Sequence, residues 1–171
     1  MSIRIRAARP ADVRAIDALV QPLANGQILL GKDLVAYYEA IQEFLVAVDE
    51  DDVVVGCGAL HVMWEDLAEV RTLAVADSVR GQGVGHRILV ALLGRAAQLG
   101  LSRVFCLTFE VDFFARHGFR EMQEEAVDAE VFSQLLRSPD EGVAEFLDLA
   151  RVKPNTLGNT RMIFETAAQE E

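Results

Sequence analysis

The sequence predicts a mixed α/β chain built on one central sheet. Two features carry that prediction. Apolar runs in the first half are separated by short polar turns, the pattern of hairpins, and the second half holds a strand, glycine loop, helix and strand in succession. With 51% hydrophobic and 25% charged residues among 171, the chain can build a sizeable core and is not disordered by composition. That length fits one domain spanning 1–171.

The elements follow in order. Ile3 to Ala7 alternates apolar and basic residues, as a half-buried strand does. Arg9-Pro10-Ala11-Asp12 opens a helix with Val13, Ile16, Leu19 and Val20 on one face, which Pro22 and Asn25-Gly26 are expected to break. A second helix from about Asp33 carries Leu34, Tyr37, Tyr38 and Ile41 at helical spacing. Phe44 to Val48 and Val53 to Val62 read as strands joined by the polar turn Asp49 to Asp52. A loop at Trp64-Glu65-Asp66 precedes a strand from Glu69 to Val75. Asp77 to Gly85 then leads into a helix from about His86 to Leu99, capped by Gly100. Arg103 to Phe109 reads as a buried strand and Asp112 to His117 as a short helix ended by Gly118. The acidic stretch around Glu121 to Glu130 receives no element, and Thr160 to Phe164 is a last strand before a polar tail.

Sixteen basic against 27 acidic residues leave a net charge of −11. That balance argues against nucleic acid and against anionic membranes as partners. It leaves room for an anionic small ligand, because backbone N–H groups can bind phosphate inside an acidic protein. Cys57 and Cys106 lie in apolar runs and read as reduced core residues of a cytoplasmic protein. No signal-peptide core and no spanning-length apolar stretch is visible, so a soluble protein is expected. His61, His86 and His117 lack metal-ligand spacing, and no metal is expected.

Chemistry concentrates in Arg80-Gly81-Gln82-Gly83-Val84-Gly85, between a strand and a helix. Alternating glycines permit a sharp turn and remove side chains that would block a ligand. The helix that starts there offers unpaired N–H groups and a partial positive charge, a site suited to a pyrophosphate. The dinucleotide fingerprint fails because His86 stands where its third glycine belongs, and a Walker loop fails for want of a lysine. A purely structural turn stays open on these residues alone.

Arg-x-x-Gly-x-Gly after Leu73-Ala74-Val75 resembles the acetyl-CoA loop of the GNAT acyltransferases. Ile5-Arg6-x-Ala8 with Asp12, Ile16 and Leu19 is similar to that family's first strand and helix. Phe113 to Phe119, ending in Gly-Phe, is similar to its later helix. A narrower resemblance is to the acetyltransferase domain of N-acetylglutamate synthases, in their short stand-alone form. It rests on Leu29-Leu30-Gly31-Lys32, Phe44-Leu45-Val46, Gly56-Cys57-Gly58-Ala59-Leu60, Glu69 to Val75, Val104 to Thr108, Lys153-Pro154-Asn155 and Asn159-Thr160-Arg161. Longer members carry an amino-acid-kinase domain in front, for which these 171 residues have no room.

The resemblance implies the GNAT fold, a mixed sheet whose strands splay at a bulge between flanking helices. It is strongest over 3–120; 121–165 would complete the acceptor site and 166–171 form a tail. It further implies acetyl-CoA as co-substrate, bound by Leu73, Ala74, Val75, Arg80, Gly81, Gln82, Gly83, Val84, Gly85, His86 and Phe114. Glu69 matches the general-base position, against a plain reading as a strand-edge carboxylate paired with Arg71. Thr108 matches a relay or orienting hydroxyl, against a threonine favoured only by β propensity. A backbone N–H near Leu73 would donate to the oxyanion. Many GNAT enzymes use a tyrosine acid where this chain has Phe114, so that acid is excluded. Lys32, Arg71, Thr72 and Arg161 are the acceptor-site candidates, with Lys32 and Arg161 at synthase positions that hold carboxylates.

The expected activity is acetylation of the α-amine of L-glutamate or L-glutamine, the first step of arginine biosynthesis. Two alternatives stand beside it: acetylation of a polyamine or a protein N-terminus, and a CoA-binding module without turnover. A homodimer is left open.

Overall fold

Alternating basic and apolar residues put Arg4–Ala7 (β1) against Phe44–Val48 (β2), antiparallel, with Arg4 opposite Val48 and Ala7 opposite Leu45. The computed structural model describes residues 2–26, 32–123, 127–147 and 158–166. β2 pairs antiparallel with Val54–Trp64 (β3), its register shifting between Ala47 and Val48. Glu65 and Asp66 turn β3 into Leu67–Val75 (β4), so both strands run closer to that turn than expected. β4 pairs parallel with Arg103–Thr108 (β5). Thr160–Glu165 (β7) runs antiparallel to β5 along its whole length, and Arg120–Glu121 (β6) pairs with its outer side. Among the described residues the strand order is β1-β2-β3-β4-β5-β7-β6.

The chain divides into two compact units, residues 1–61 with 70–99 and residues 62–69 with 100–171. The first unit carries the helices Val13–Asn25 (α1), Leu34–Glu39 (α2) and Val84–Gln98 (α3). Its core joins Val13, Ile16 and Val20 of α1 to Tyr37, Phe44, Val46, Cys57, Ala59 and Ala74. Pro22 does not end α1, as the sequence led us to expect; the helix continues to Asn25. Proline removes one backbone bond, and Leu23 packs on the same core and holds the last turn in place.

Gly56 and Gly58 explain how closely β3 lies on α3. A Cβ at Gly58 would sit 2.9 Å from Cγ2 of Ile88 and 3.0 Å from Cδ1 of Leu92. One at Gly56 would sit 2.9 Å from Cδ1 of Ile88. Side chains alternate across a strand. Cys57, between the two glycines, therefore faces the α1 and α2 side, and its membership of that core agrees.

The second unit carries Val111–Ala115 (α4), Ala129–Leu135 (α5) and Glu141–Phe146 (α6). β6, α5 and α6 were not anticipated. Its core gathers Met63, Leu67, Phe105, Leu135, Val143, Phe146 and Ile163. The Asp66 carboxylate accepts from the Arg103 guanidinium at 3.0 and 3.2 Å, and its carbonyl accepts the Ser102 and Arg103 N–H groups. These bonds set the register that places Glu69 opposite Phe105.

Asp12 anchors the entry to α1. Its carboxylate accepts the Arg6 guanidinium at 2.7 and 3.0 Å and the Arg9 N–H at 2.7 Å. The Arg6 hydrogen bond chiefly holds the carboxyl below its usual value. A lowered carboxyl contributes stability above the unfolded value, which is lost as pH falls through the folded one. Asp12→Asn should therefore cost about 1.5–3 kcal/mol at neutral pH, the range for hydrogen bonds to charged groups. In urea denaturation the gap to the parent should narrow below about pH 3.9; a gap that stays constant into acid would dismiss the ion pair as its source.

Candidate active site

In the first unit, β4 ends at Val75 and a short 3-10 turn, Asp77–Val79, leads to the glycine loop. Val79 is fully buried and anchors the turn, and Gln82 N–H donates back to its carbonyl at 3.2 Å. Gly81 and Gly83 have φ of +78° and +76°, the left-handed region that favours glycine. Apart from the glycine and its chain neighbours, no atom of the described residues lies within 4 Å of where a Cβ would stand at either residue. Open space thus faces the loop. Gly83 is the N-cap of the 15-residue helix α3, and no side chain caps it. Its first-turn N–H groups and dipole suit an anion.

Side chains around the loop divide by burial. Val84 and Ala74 are buried in the core, so only their backbones are available to a ligand. Leu73, Val75 and Gly85 are half-buried, while Gln82 and His86 are exposed. Arg80 is exposed and pairs with Asp77 at 2.8 Å. Lys32 is half-buried just before Asp33, the N-cap of α2; Leu29 to Gly31 of its motif lie outside the described residues. Arg71 is half-buried on β4.

Thr72, also on β4, has φ +57° and is only 8% exposed. A β-branched residue held there costs about 1–3 kcal/mol, so the backbone of β4 leaves regular strand geometry at this residue.

In the second unit the parallel ladder has three registered rungs, Leu67–Arg103, Ala68–Val104 and Glu69–Phe105. Glu69 stands at its last rung and is only 7% exposed. Its charge helps burial push the neighbouring Cys106 thiol well above its usual value, burial being the larger cause. Thr108 is 8% exposed and lies opposite Thr160 of β7. Its Oγ1 accepts the Glu110 N–H at 2.8 Å, closing the turn into α4. That bond aims the hydroxyl and leaves its proton to be donated elsewhere.

Phe114 is buried, edge-on to Phe113 and Phe119. His117 sits at the end of that helix, with Nδ1 2.7 Å from the Phe113 carbonyl. The Arg161 guanidinium donates to the Phe146 carbonyl at the end of α6. The sequence reading missed this contact, because α6 itself was not anticipated. Lys153 to Asn155 lie outside the described residues, and those that are described contain no cluster fit for a metal.

The model of the acetyltransferase (GNAT) family matches residues 23–119. The chain belongs to the GNAT acetyltransferase family. An amino-acid acetyltransferase of Mycobacterium tuberculosis is 58% identical over 161 residues, covering 93% of this chain and 92% of the relative. An amino-acid acetyltransferase of Neisseria meningitidis is 33% identical over 125 residues; the chain spans 28% of that longer protein. Among solved structures, Rv2747 from M. tuberculosis, in complex with CoA, matches with a TM-score of 0.90 at 56% identity. The match covers 95% of this chain and 99% of that one. N-acetylglutamate synthase from Neisseria gonorrhoeae matches with a TM-score of 0.76 at 24% identity over 96% of this chain and 35% of that one, a likeness of fold.

For this GNAT loop, the left-handed glycines, the open space before them and the uncapped helix fit the pyrophosphate of CoA. Gly83→Val would put a branched side chain into that space at a strained φ. We expect CoA affinity to fall by about 10- to 100-fold, as for lost charge-assisted bonds. A folded variant that binds CoA like the parent in calorimetry would overturn the assignment.

Proposed function

We propose that the chain is an acetyl-CoA-dependent amino-acid N-acetyltransferase acting on the α-amine of L-glutamate or L-glutamine. That reaction is the first step of arginine biosynthesis. One observation carries the reading: 58% identity, over 93% of the chain, to an amino-acid acetyltransferase. The net charge of −11 argues against nucleic acid, and no described helix is long and apolar enough to cross a membrane. A cytoplasmic enzyme is the natural setting.

Bound acetyl-CoA supplies the acetyl group as a thioester; the rest falls to the chain. Glu69 takes the proton of the acceptor amine, directly or through one water, and its burial excludes the solvent that would otherwise stabilise its charge. The Leu73 N–H donates to the oxygen that becomes negative as the amine attacks. Phe114 has no proton to give. The departing thiolate is therefore protonated by Thr108 or solvent, or leaves as the anion. Arg161 and Lys32 hold the carboxylates of the acceptor, Arg71 and Thr72 line its site, and Arg161 is steadied by the Phe146 carbonyl.

CoA release should be measured with glutamate, glutamine, spermidine and a peptide. Turnover of the amino acids supports the reading, turnover of spermidine or peptide alone replaces it, and CoA binding without turnover of any leaves a binding module. Glu69→Gln should lower kcat by about 10²–10⁴, the range for a lost general base. Part of the rate should return at high pH, where the amine is already neutral. Full activity of that variant near neutral pH would move the base elsewhere.

Arg161→Ala and Lys32→Ala should each raise the KM for glutamate by roughly 10- to 200-fold, from about 1.5–3 kcal/mol per charge-assisted contact. CoA affinity should hold. Glutamine should respond like glutamate to whichever residue grips the α-carboxylate, and less to the other. If both variants acetylate both amino acids like the parent, these cations do not form the acceptor site.

A further inference from the structure

The strained residue in β4 has a specific holder. Cys57, on β3, is fully buried, and its Sγ lies 3.4 Å from the Thr72 carbonyl oxygen, to which the thiol donates. One buried side chain thus engages the carbonyl that immediately precedes Leu73. Leu73 itself points its side chain the other way, towards Gly58. Burial pushes the thiol up to about 12, so it keeps its proton at neutral pH and stays a donor.

The Thr72 carbonyl and the Leu73 N–H belong to one peptide unit. That unit is planar and trans, so its C=O and N–H point in opposite directions. A thiol that fixes the carbonyl towards the α1 and α2 side of the strand therefore fixes the N–H towards the other. A hydrogen bond on the carbonyl also polarises the unit and makes its N–H a better donor.

We infer that Cys57 is a positioning residue for acetyl transfer: its thiol fixes the orientation of the Thr72–Leu73 peptide, so that the Leu73 N–H is aimed and polarised as the oxyanion donor. The inference rests on the proposed role of Leu73. It makes the cysteine more than a small core residue. A residue that only filled space could be replaced by any group of its volume, whereas a peptide holder needs a group that hydrogen-bonds.

The test compares Cys57→Val, which stays apolar and somewhat larger but loses the bond to the Thr72 carbonyl, with Cys57→Ser, which keeps a donor. In Cys57→Val, kcat should fall by about tenfold or more, short of the ~10²–10³ that follows complete loss of an oxyanion donor. CoA affinity should stay within about twofold of the parent, and Cys57→Ser should recover much of the rate. In isotope-labelled protein the Leu73 amide resonance should move in Cys57→Val and return towards the parent position in Cys57→Ser.

A Cys57→Val enzyme with parental kcat overturns the inference. So do a Cys57→Ser enzyme no better than Cys57→Val, and losses of rate and CoA affinity in parallel. Should Cys57→Val not fold, Cys57→Ser alone decides, since a space-filling role predicts no link between its rate and the Leu73 resonance. If the parent acetylates no amino acid, the substrate reading fails separately. The Leu73 resonance in the two variants then still decides whether the thiol holds that peptide.

Discussion

A strand inside a sheet normally commits its backbone N–H and C=O groups to its neighbours, and β4 departs from that regular geometry at Thr72, where φ turns positive. Much of what surrounds this residue reads as accommodation of that departure. Gly56 and Gly58 let β3 press against α3 on one side, while Cys57 and Ala59 reach into the α1 and α2 core on the other. The strain at Thr72 is local. It persists because buried neighbours hold it, as strained backbone at functional sites generally requires.

Glycine serves two unlike purposes within the first unit. Gly56 and Gly58 have ordinary backbone angles, and what matters is the missing Cβ, whose place is taken by Ile88 and Leu92. Gly81 and Gly83 have empty space before them, and what matters is the left-handed turn. The first pair sets where α3 lies on the sheet. The second shapes the backbone at its N-terminus. Both are needed for a helix end to serve as an anion site, since a dipole without a fixed position selects nothing.

The legible parts of the sequence were those with a local cause. β2 was predicted at its observed bounds, because five apolar residues stand between polar ones. The glycine loop was legible because left-handed angles leave a compositional trace. Pro22 misled because the local rule was outweighed by a tertiary contact, Leu23 on the core. α5 and α6 are short helices of seven and six residues, too brief for a periodicity to register. One signal was present: Asp140 caps α6 by accepting the Val143 N–H. In the candidate site, Glu69 and Thr108 were found through resemblance, yet the Thr108 bond to the Glu110 N–H needed coordinates. Cys57 shows the limit best. In sequence it is one more apolar residue in a buried run, and only the position of a carbonyl fifteen residues away shows that its proton has a use.

Charge raises a last question of cause. A chain with net charge −11 is proposed to bind two anions, a CoA and an acidic amino acid. Long-range attraction would work against both, so recognition must be short-ranged. The two proposed sites meet that condition in different ways. At the loop, backbone N–H groups and a helix dipole supply positive potential, and the one guanidinium there, Arg80, is paired with Asp77. At the acceptor site, guanidinium and ammonium groups do so, each strongest at hydrogen-bond distance. An overall negative field then repels polyanions that no local site can compensate, and small ligands that fit the local donors are still held. The net negative charge and the anionic ligands are therefore compatible, and the specificity resides in oriented donors within a few ångströms.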